Sequence, residues 1–337
     1  MPLIIDSLED ALIQITGQPK RQYSKQERDE ARGNLALMND RVFMVTFADN
    51  KNNHIITEIV NALRKIHGLA PIPPIERTTV QNVSLLDVLG RGMVGDLLSE
   101  GALINISVEV QKGSQDDYAV RGTLTSSNAM RVQFNAGDDF TEAPDVIGIN
   151  ILGFRLPELE HRKEFVSRIV RAEYESRKTF LADKYSDYYI ELPKMDNWTK
   201  EKLPEEYHDL WDLCHIFKAK TKEHEEVIRM QTITNPTALE LSNEVRRIVA
   251  PDDFVDETLI RKDELEQLRN YMIRQKQKGK EEGKAEGKAE GKAEGQEKML
   301  IMAIQSNAPN ELIETLRKGA EITEARLAEL RKMATVQ

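Results

Sequence analysis

Two acidic residues, Asp87 and Glu109, occupy positions that suit metal chemistry. Branched apolar and polar residues alternate over 104–111, which predicts a strand with Glu109 and Gln111 on its polar face. The run 83–89 predicts a preceding strand, in which Asp87 is an acid in an otherwise apolar row. A buried acid destabilises a fold unless it is paired or bound to a cation. If the two strands are neighbours in the sheet, the two carboxylates come within a few ångströms of each other.

Such a carboxylate pair favours a divalent metal ion, because two adjacent carboxylates repel unless a proton or a cation lies between them. Oxygen ligands suit a hard cation, so we expect Mg²⁺, with Mn²⁺ as the alternative. An ion held there can activate water and stabilise charge on a scissile phosphate. A simpler interpretation stays open, in which either acid lies at a strand end and faces solvent.

The elements that must hold these residues indicate an α/β or α+β fold around one sheet, and we expect the α/β class. The glycine-containing segment 90–101 predicts a loop between the two strands. Periodicity and apolar runs predict the other elements, which are helices over 54–67, 116–134 and 205–218 and strands over 146–154, 168–174 and 188–192.

Composition divides the 337 residues into five segments. They are an N-terminal arm over 1–38, a core with real hydrophobic runs over 39–220, a charged helical region over 221–275, a Gly/Lys/Ala/Glu repeat over 276–298, and a small helical segment over 299–337. The core contains both tryptophans. Any catalytic site is therefore expected in the second segment.

Charge and residue usage exclude several classes of protein. A net charge of −10 excludes a histone-like polybasic binder. The single cysteine excludes a disulfide scaffold. We expect no membrane span, because no apolar stretch reaches the ~18 residues that one needs. No nucleotide-binding fingerprint is present, and the N-terminus does not read as a signal peptide, so a reducing cytoplasm is expected.

Eight short segments form an ordered set of motifs, which are Asp40–Phe43, Ile59–Leu63, Leu86–Val88, Glu109–Gln111, Arg121, Gly137–Phe140, Val146–Ile151 and Tyr189–Lys194. In this order they resemble the recombination-promoting nuclease and transposase (Rpn) family of the PD-(D/E)XK superfamily, which has Glu-x-Gln where other branches have Glu-x-Lys. The resemblance covers about residues 38–220 and the tail. It implies a restriction-endonuclease-like core, a mixed central sheet flanked by helices, with a helical C-terminal region.

The same resemblance implies roles for individual residues. Asp87, Glu109 and the backbone carbonyl of Val110 would be the metal ligands, and Gln111 would stand in the place of the family's lysine. Arg121 would contact phosphate or support the site, and a solvent-facing position or a structural ion pair is left open for it. The implied function is a Mg²⁺-dependent DNA endonuclease of recombination or of mobile-element and phage-related processes. An inactive nuclease fold that binds DNA or protein, and a tail-mediated scaffold, are the alternatives.

Other polar residues are interpreted as structural. Lys112 is expected on the surface and Glu58 on a solvated helix face, and Glu191 and Lys194 are expected to tie a strand end to the next segment. The histidines near Cys214 lack the spacing of a metal motif.

The repeat is a poor isolated helix, because its five glycines each cost about 1 kcal/mol relative to alanine. It is either a hydrated tether or a helix stabilised by a partner. The resemblance favours the helix, and we expect a homo-oligomer.

Overall fold

A computed structural model describes residues 21–80, 97–101, 104–113, 117–131, 144–180, 184–229 and 233–335, together with Gly17 and Pro19. By internal contacts the chain divides into two compact units. One unit is Arg21–Ile260, and the other includes the residues from Arg261 onwards.

Within the described residues, six strands form one mixed sheet in the order β1-β2-β3-β4-β6-β5. The strands are β1 Arg77–Val80, β2 Leu97–Gly101, β3 Ile104–Gln111, β4 Asp145–Leu152, β5 Val166–Val170 and β6 Tyr185–Glu191. The three central strands β3, β4 and β6 are parallel, and the outer pairings are antiparallel. Parallel neighbours need a crossover connection, and a helix supplies it between β3 and β4.

Ten α-helices are described. They are α1 Lys25–Asn34, α2 Asp40–Ala48, α3 Asn53–Ile66, α4 Tyr118–Arg131, α5 His208–Lys218, α6 Thr221–Arg229, α7 Pro236–Val249, α8 Asp252–Gln305, α9 Asn310–Gly319 and α10 Glu324–Thr335. Short 3₁₀ helices cover Asn50–Asn52, Pro157–Leu159, Leu192–Asn197, Lys200–Lys202 and Glu205–Tyr207. The described helices include none that is long and apolar enough to cross a membrane.

Local sequence explains where several helices begin. Ser24 and Glu27 form a reciprocal capping box at the start of α1. The Asn235 side chain accepts a hydrogen bond from the Ala238 amide, and Pro236 takes the first position of α7, where its missing N–H costs nothing.

The main core lies on one face of the sheet, where the apolar residues of β3 and β4 pack with helices α2, α3, α5 and α7. Phe43, Ile59, Val108, Ile149 and Phe217 are among its fully or nearly fully buried members. The predicted helices over 54–67, 116–134 and 205–218 and the buried strand over 146–154 are confirmed within a few residues of their predicted ends. The mixed sheet with flanking helices and a helical C-terminal region confirms the predicted fold class.

The predicted loop over 90–101 is wrong at its end, because Leu97–Gly101 is strand β2. Strand β2 pairs with β3 from Leu97/Val108 to Gly101/Ile104. In the described residues, β3 therefore has β2 on one side and β4 on the other. The predicted strand 83–89, with Asp87, lies outside the described residues.

The repeat belongs to α8, a helix of 54 residues. All residues from 274 to 295 are exposed. Apart from the adjacent turns of the helix itself, a Cβ on any of the repeat's five glycines would meet no atom of the described residues within 4 Å. The end of α8 packs with α9 and α10 around Leu300, Ile313 and Leu330. The predicted helical segment at the C-terminus is confirmed.

Candidate active site

The second face of β3 is polar and covered. Asn105, Ser107 and Glu109 are all buried there, as the alternation of the sequence predicts, while Ile106 and Val108 of the same strand enter the main core. Helix α4, which connects β3 to β4, packs on these two strands. The buried polar side chains of β3 therefore lie between the sheet and α4, where they need polar partners if they are not to destabilise the fold.

Glu109 and Arg121 meet at the centre of this face. The Arg121 Nη2 donates a hydrogen bond of 2.7 Å to Glu109 Oε1, and Glu109 is only 2% exposed. Arg121 remains about one-third exposed, so its guanidinium links the buried carboxylate to the surface. The hydrogen bond between the two side chains is charge-assisted. This contact is compatible both with support of the site and with a structural ion pair, two of the roles left open for Arg121.

Asn150 of β4 seats the helix that carries Arg121. It is the register partner of Glu109, and its Oδ1 accepts a hydrogen bond of 3.1 Å from the Tyr118 hydroxyl of α4. Gly122 allows close approach, because a Cβ there would lie 2.8 Å from Asn150 Oδ1 and 3.2 Å from the Tyr189 hydroxyl. Burial raises the pKa of Tyr189 to about 12, so that hydroxyl keeps its proton.

The end of β3 presents two further groups. Gln111 is half-buried, and its side-chain amide donates a hydrogen bond of 3.1 Å to the Gly113 carbonyl. The Gly153 amide bonds the Gln111 carbonyl, so alternation turns the Val110 carbonyl away from β4. The Val110 carbonyl is therefore on the β2 side of β3, two residues beyond the last described β2–β3 pair, Leu97/Val108. The Val110 side chain is buried in the main core.

A second buried carboxyl group, Asp187 of β6, lies under the other end of α4. Gly148 is its register partner, and a Cβ on Gly148 would lie 2.1 Å from Asp187 Oδ1 and 2.9 Å from Ser126 Cβ. Burial raises the pKa of Asp187, while hydrogen bonding from Ser126 and Tyr185 acts in the opposite direction. The Tyr185 hydroxyl also bonds the Ser126 hydroxyl at 2.8 Å.

Sequence reasoning missed Asn150 and Asp187. Gly148 and Asn150 stand two residues apart in an apolar run, so a period of two places both on the face under α4. That spacing is the available signal. Asp187 gives no comparable signal, because its partners come from β4 and α4 rather than from its own strand.

The residues interpreted as structural lie apart from this site. Lys112 is exposed. Glu191 accepts hydrogen bonds from the buried Lys194 ammonium and, at 2.9 Å, from the Leu156 amide, so this pair ties β6 to neighbouring segments as predicted. Glu58 is half-buried and accepts a bond of 3.4 Å from Asn235.

The histidines bond to nearby backbone and side chains. His208 and His215 each contact a backbone carbonyl, and buried His224 lies between the Ala219 carbonyl and the Ser242 hydroxyl. Burial lowers the pKa of His215 and of His224.

The donor chemistry at the end of β3 fits a hard divalent cation, because a buried carboxylate and a backbone carbonyl are both oxygen donors. Within the described part of the chain, no three His, Cys, Asp or Glu residues converge to hold a metal ion. Asp87, the other ligand that the sequence predicts, lies outside that part.

Residues 37–250 match the model of the family described as PD-(D/E)XK nuclease family transposase. The chain belongs to this family. No curated protein and no solved structure matches it significantly. The family match covers more than half of the chain and confirms the resemblance inferred from the motifs.

Membership in the PD-(D/E)XK nuclease family supports a nuclease-like function, a DNA substrate and the use of divalent metals. The matched residues contain the whole six-stranded sheet, α4 and the Glu109–Arg121 pair. The polar face under α4 therefore lies within the part of the chain that matches the family.

Proposed function

We propose that the chain is a Mg²⁺-dependent DNA endonuclease that acts in recombination or in mobile-element and phage-related processes. The observation that carries the proposal is the buried Glu109 carboxylate, held by Arg121 on the polar face of β3 inside the matched nuclease domain. A buried carboxylate with a cationic partner at a strand end is a frequent arrangement at functional sites.

In this proposal Asp87, Glu109 and the Val110 carbonyl hold the ion, Mg²⁺ first and Mn²⁺ as the alternative. When bound, the ion supplies an activated water and charge stabilisation at the phosphate. Arg121 keeps the Glu109 carboxylate in one orientation and offers its exposed part to the substrate. The Gln111 amide can orient a water or a phosphate oxygen but adds no positive charge.

Plasmid cleavage tests the proposal. Supercoiled plasmid incubated with the protein should be nicked with Mg²⁺ and left intact with EDTA, because the ion supplies the attacking water. Asp87→Ala should remove the nicking, while Lys112→Ala, an exposed residue two positions after Val110, should leave it within about twofold, since surface substitutions have small effects. Nicking that persists in EDTA, or in Asp87→Ala, would contradict the assigned site.

We also propose that the chain forms a homo-oligomer through the repeat of α8. In an isolated helix the five glycines oppose helix formation, and close approach of a second backbone would compensate for them.

Replacing Gly279, Gly283, Gly287, Gly291 and Gly295 by alanine should raise helix propensity by about 5 kcal/mol in sum and yet lower the oligomeric mass, because each added Cβ blocks close approach. Light scattering measures that mass. Replacing Ala285, Ala289 and Ala293 by serine is the control on another stripe of the helix, and it should leave the mass nearly unchanged. An unchanged mass in the glycine variant would identify the repeat as a spacer.

A further inference from the structure

The hairpin between β5 and β6 extends beyond the sheet as an arm, residues 171–180, in which every residue is exposed. Backbone hydrogen bonds shape the arm, from Glu173 to the Lys178 carbonyl and from Phe180 to the Arg171 carbonyl, both at 2.8 Å. Arg177 has a φ of 56°, a left-handed conformation that closes the turn. The arm therefore has a defined backbone while contributing no side chain to the core.

The hairpin arm displays two aromatic rings. Tyr174 is 75% exposed and Phe180 is 62% exposed, and they are the aromatic residues among the large exposed hydrophobic side chains of the described chain. The Arg177 guanidinium lies 4.6 Å from the centre of the Tyr174 ring, a cation–π contact that orders both side chains. Exposed rings flanked by arginine are platforms on which unpaired bases stack.

The arm also carries positive charge on an acidic protein. Arg171, Arg177 and Lys178 form no ion pair with a carboxylate of the described residues. The Glu173 carboxylate is held by hydrogen bonds from Glu175 and Ser176, which lower its pKa to about 2. The three basic residues of the arm outnumber its two acids, Glu173 and Glu175, so the arm has a net charge of +1 (3 − 2), whereas the whole chain has a net charge of −10. The arm therefore offers a local positive charge to phosphates.

The base of the arm shares a sheet face with Glu109. The Arg171 guanidinium lies 4.7 Å from the centre of the Tyr185 ring, and the Tyr185 hydroxyl bonds Ser126 of α4. Tyr189, four residues along β6, is in register with Asn150 and Glu109. Strand spacings therefore put Tyr185 about 16 Å from Glu109, which is about five nucleotide steps of DNA.

We propose that the hairpin arm binds a single-stranded segment of the DNA substrate about five or more nucleotides away from the scissile phosphate. Arg171, Arg177 and Lys178 bind phosphates, and Tyr174 and Phe180 stack on unpaired bases. This inference rests on the proposed function and adds to it a substrate class, DNA with an unpaired region about five or more nucleotides from the cleaved bond.

Binding measurements on the full-length protein test the arm. Fluorescence anisotropy with a labelled single-stranded oligonucleotide and the matching duplex is measured in Ca²⁺. We expect this ion to support binding with little cleavage, because its looser coordination geometry positions an attacking water poorly. The double variant Tyr174→Ala, Phe180→Ala should lose about tenfold or more in affinity for the single strand and less than about threefold for the duplex, whose paired bases cannot stack on the rings. Tyr174→Phe should retain the wild-type affinity, because it keeps the ring.

Arg177→Ala should weaken binding to the single strand and reduce its salt dependence. Lys202→Ala is the matched control, since it also removes one exposed positive charge, on a 3₁₀ helix away from the arm. Each variant should keep the wild-type melting temperature because the arm is outside the core.

The outcomes separate the two proposals. If the wild-type protein cleaves DNA while the arm variants bind the single strand as tightly as it does, the inference about the arm is overturned and the proposed function stands. Equal losses for single strand and duplex would overturn the single-strand assignment. A wild-type protein that neither binds nor cleaves DNA would overturn both.

Discussion

Glu109→Gln should reduce Mg²⁺-dependent DNA cleavage by about a hundredfold or more. The substitution keeps the shape of the side chain but removes the negative charge that would bind the ion. Glu109 is buried on the polar face of β3 and accepts a hydrogen bond from Arg121, so no neighbouring solvent can replace its carboxylate. The initial rate of plasmid nicking at saturating Mg²⁺ measures the effect.

Glu100→Gln is the matched control for this prediction. Glu100 lies on the adjacent strand β2 and is also paired with an arginine, Arg77, but it is half-exposed rather than buried. Exposed ion pairs contribute about 1 kcal/mol or less, so its cleavage rate should stay close to that of the wild type. Equal activity of Glu109→Gln and Glu100→Gln would remove the catalytic assignment of Glu109.

Gly148→Ala should destabilise the unit Arg21–Ile260 by about 3 kcal/mol, a large value for overpacking by one methyl group. The new Cβ would lie 2.1 Å from Asp187 Oδ1 and 2.9 Å from Ser126 Cβ, and both residues are buried between the sheet and α4. A decrease of the melting temperature by about 6 to 12 °C is expected for a unit of this size. Thermal unfolding followed by circular dichroism gives the measurement.

Gly33→Ala makes the same chemical change without the collision. Its Cβ would meet Lys222 at 3.6 Å, an ordinary contact, inside helix α1. The substitution should stabilise the protein by up to about 1 kcal/mol.

The double variant Gly148→Ala, Asp187→Ala should lose less free energy of unfolding than the sum of the two single variants, because the carboxyl group that obstructs the new methyl group is gone. If the two losses of stability simply add, the new methyl group of Gly148→Ala does not collide with the Asp187 carboxyl group, which would contradict this explanation.

The central part of the fold is predictable from the sequence because single strands and helices carry their own periodicity. The alternation over 104–111 identifies both faces of β3, and the apolar run over 146–154 identifies β4 as buried. Strand β2 escapes this reasoning. Its five residues follow a glycine-containing segment, and their extended conformation depends on pairing with β3, which local propensity does not encode.

The candidate site is only partly predictable for a similar reason. Glu109 is evident as an acid on a strand, and the family resemblance adds Arg121. The contact between them depends on where α4 lies, and that is fixed by Asn150, Tyr118 and Gly122. These three residues come from two separate elements, so no pattern within one segment reveals that they meet.

The single cysteine provides the molecule with its own reporter of opening. Cys214 lies on α5, is 2% exposed, and belongs to the main core together with Phe217 and Leu213. Burial raises the pKa of its thiol, so the native state offers almost no reactive thiolate to a labelling reagent. Modification therefore proceeds only through molecules in which the core around α5 has separated. The ratio of the labelling rate in native buffer to that of the unfolded chain gives the free energy of this opening without any introduced probe, provided that closing is faster than labelling.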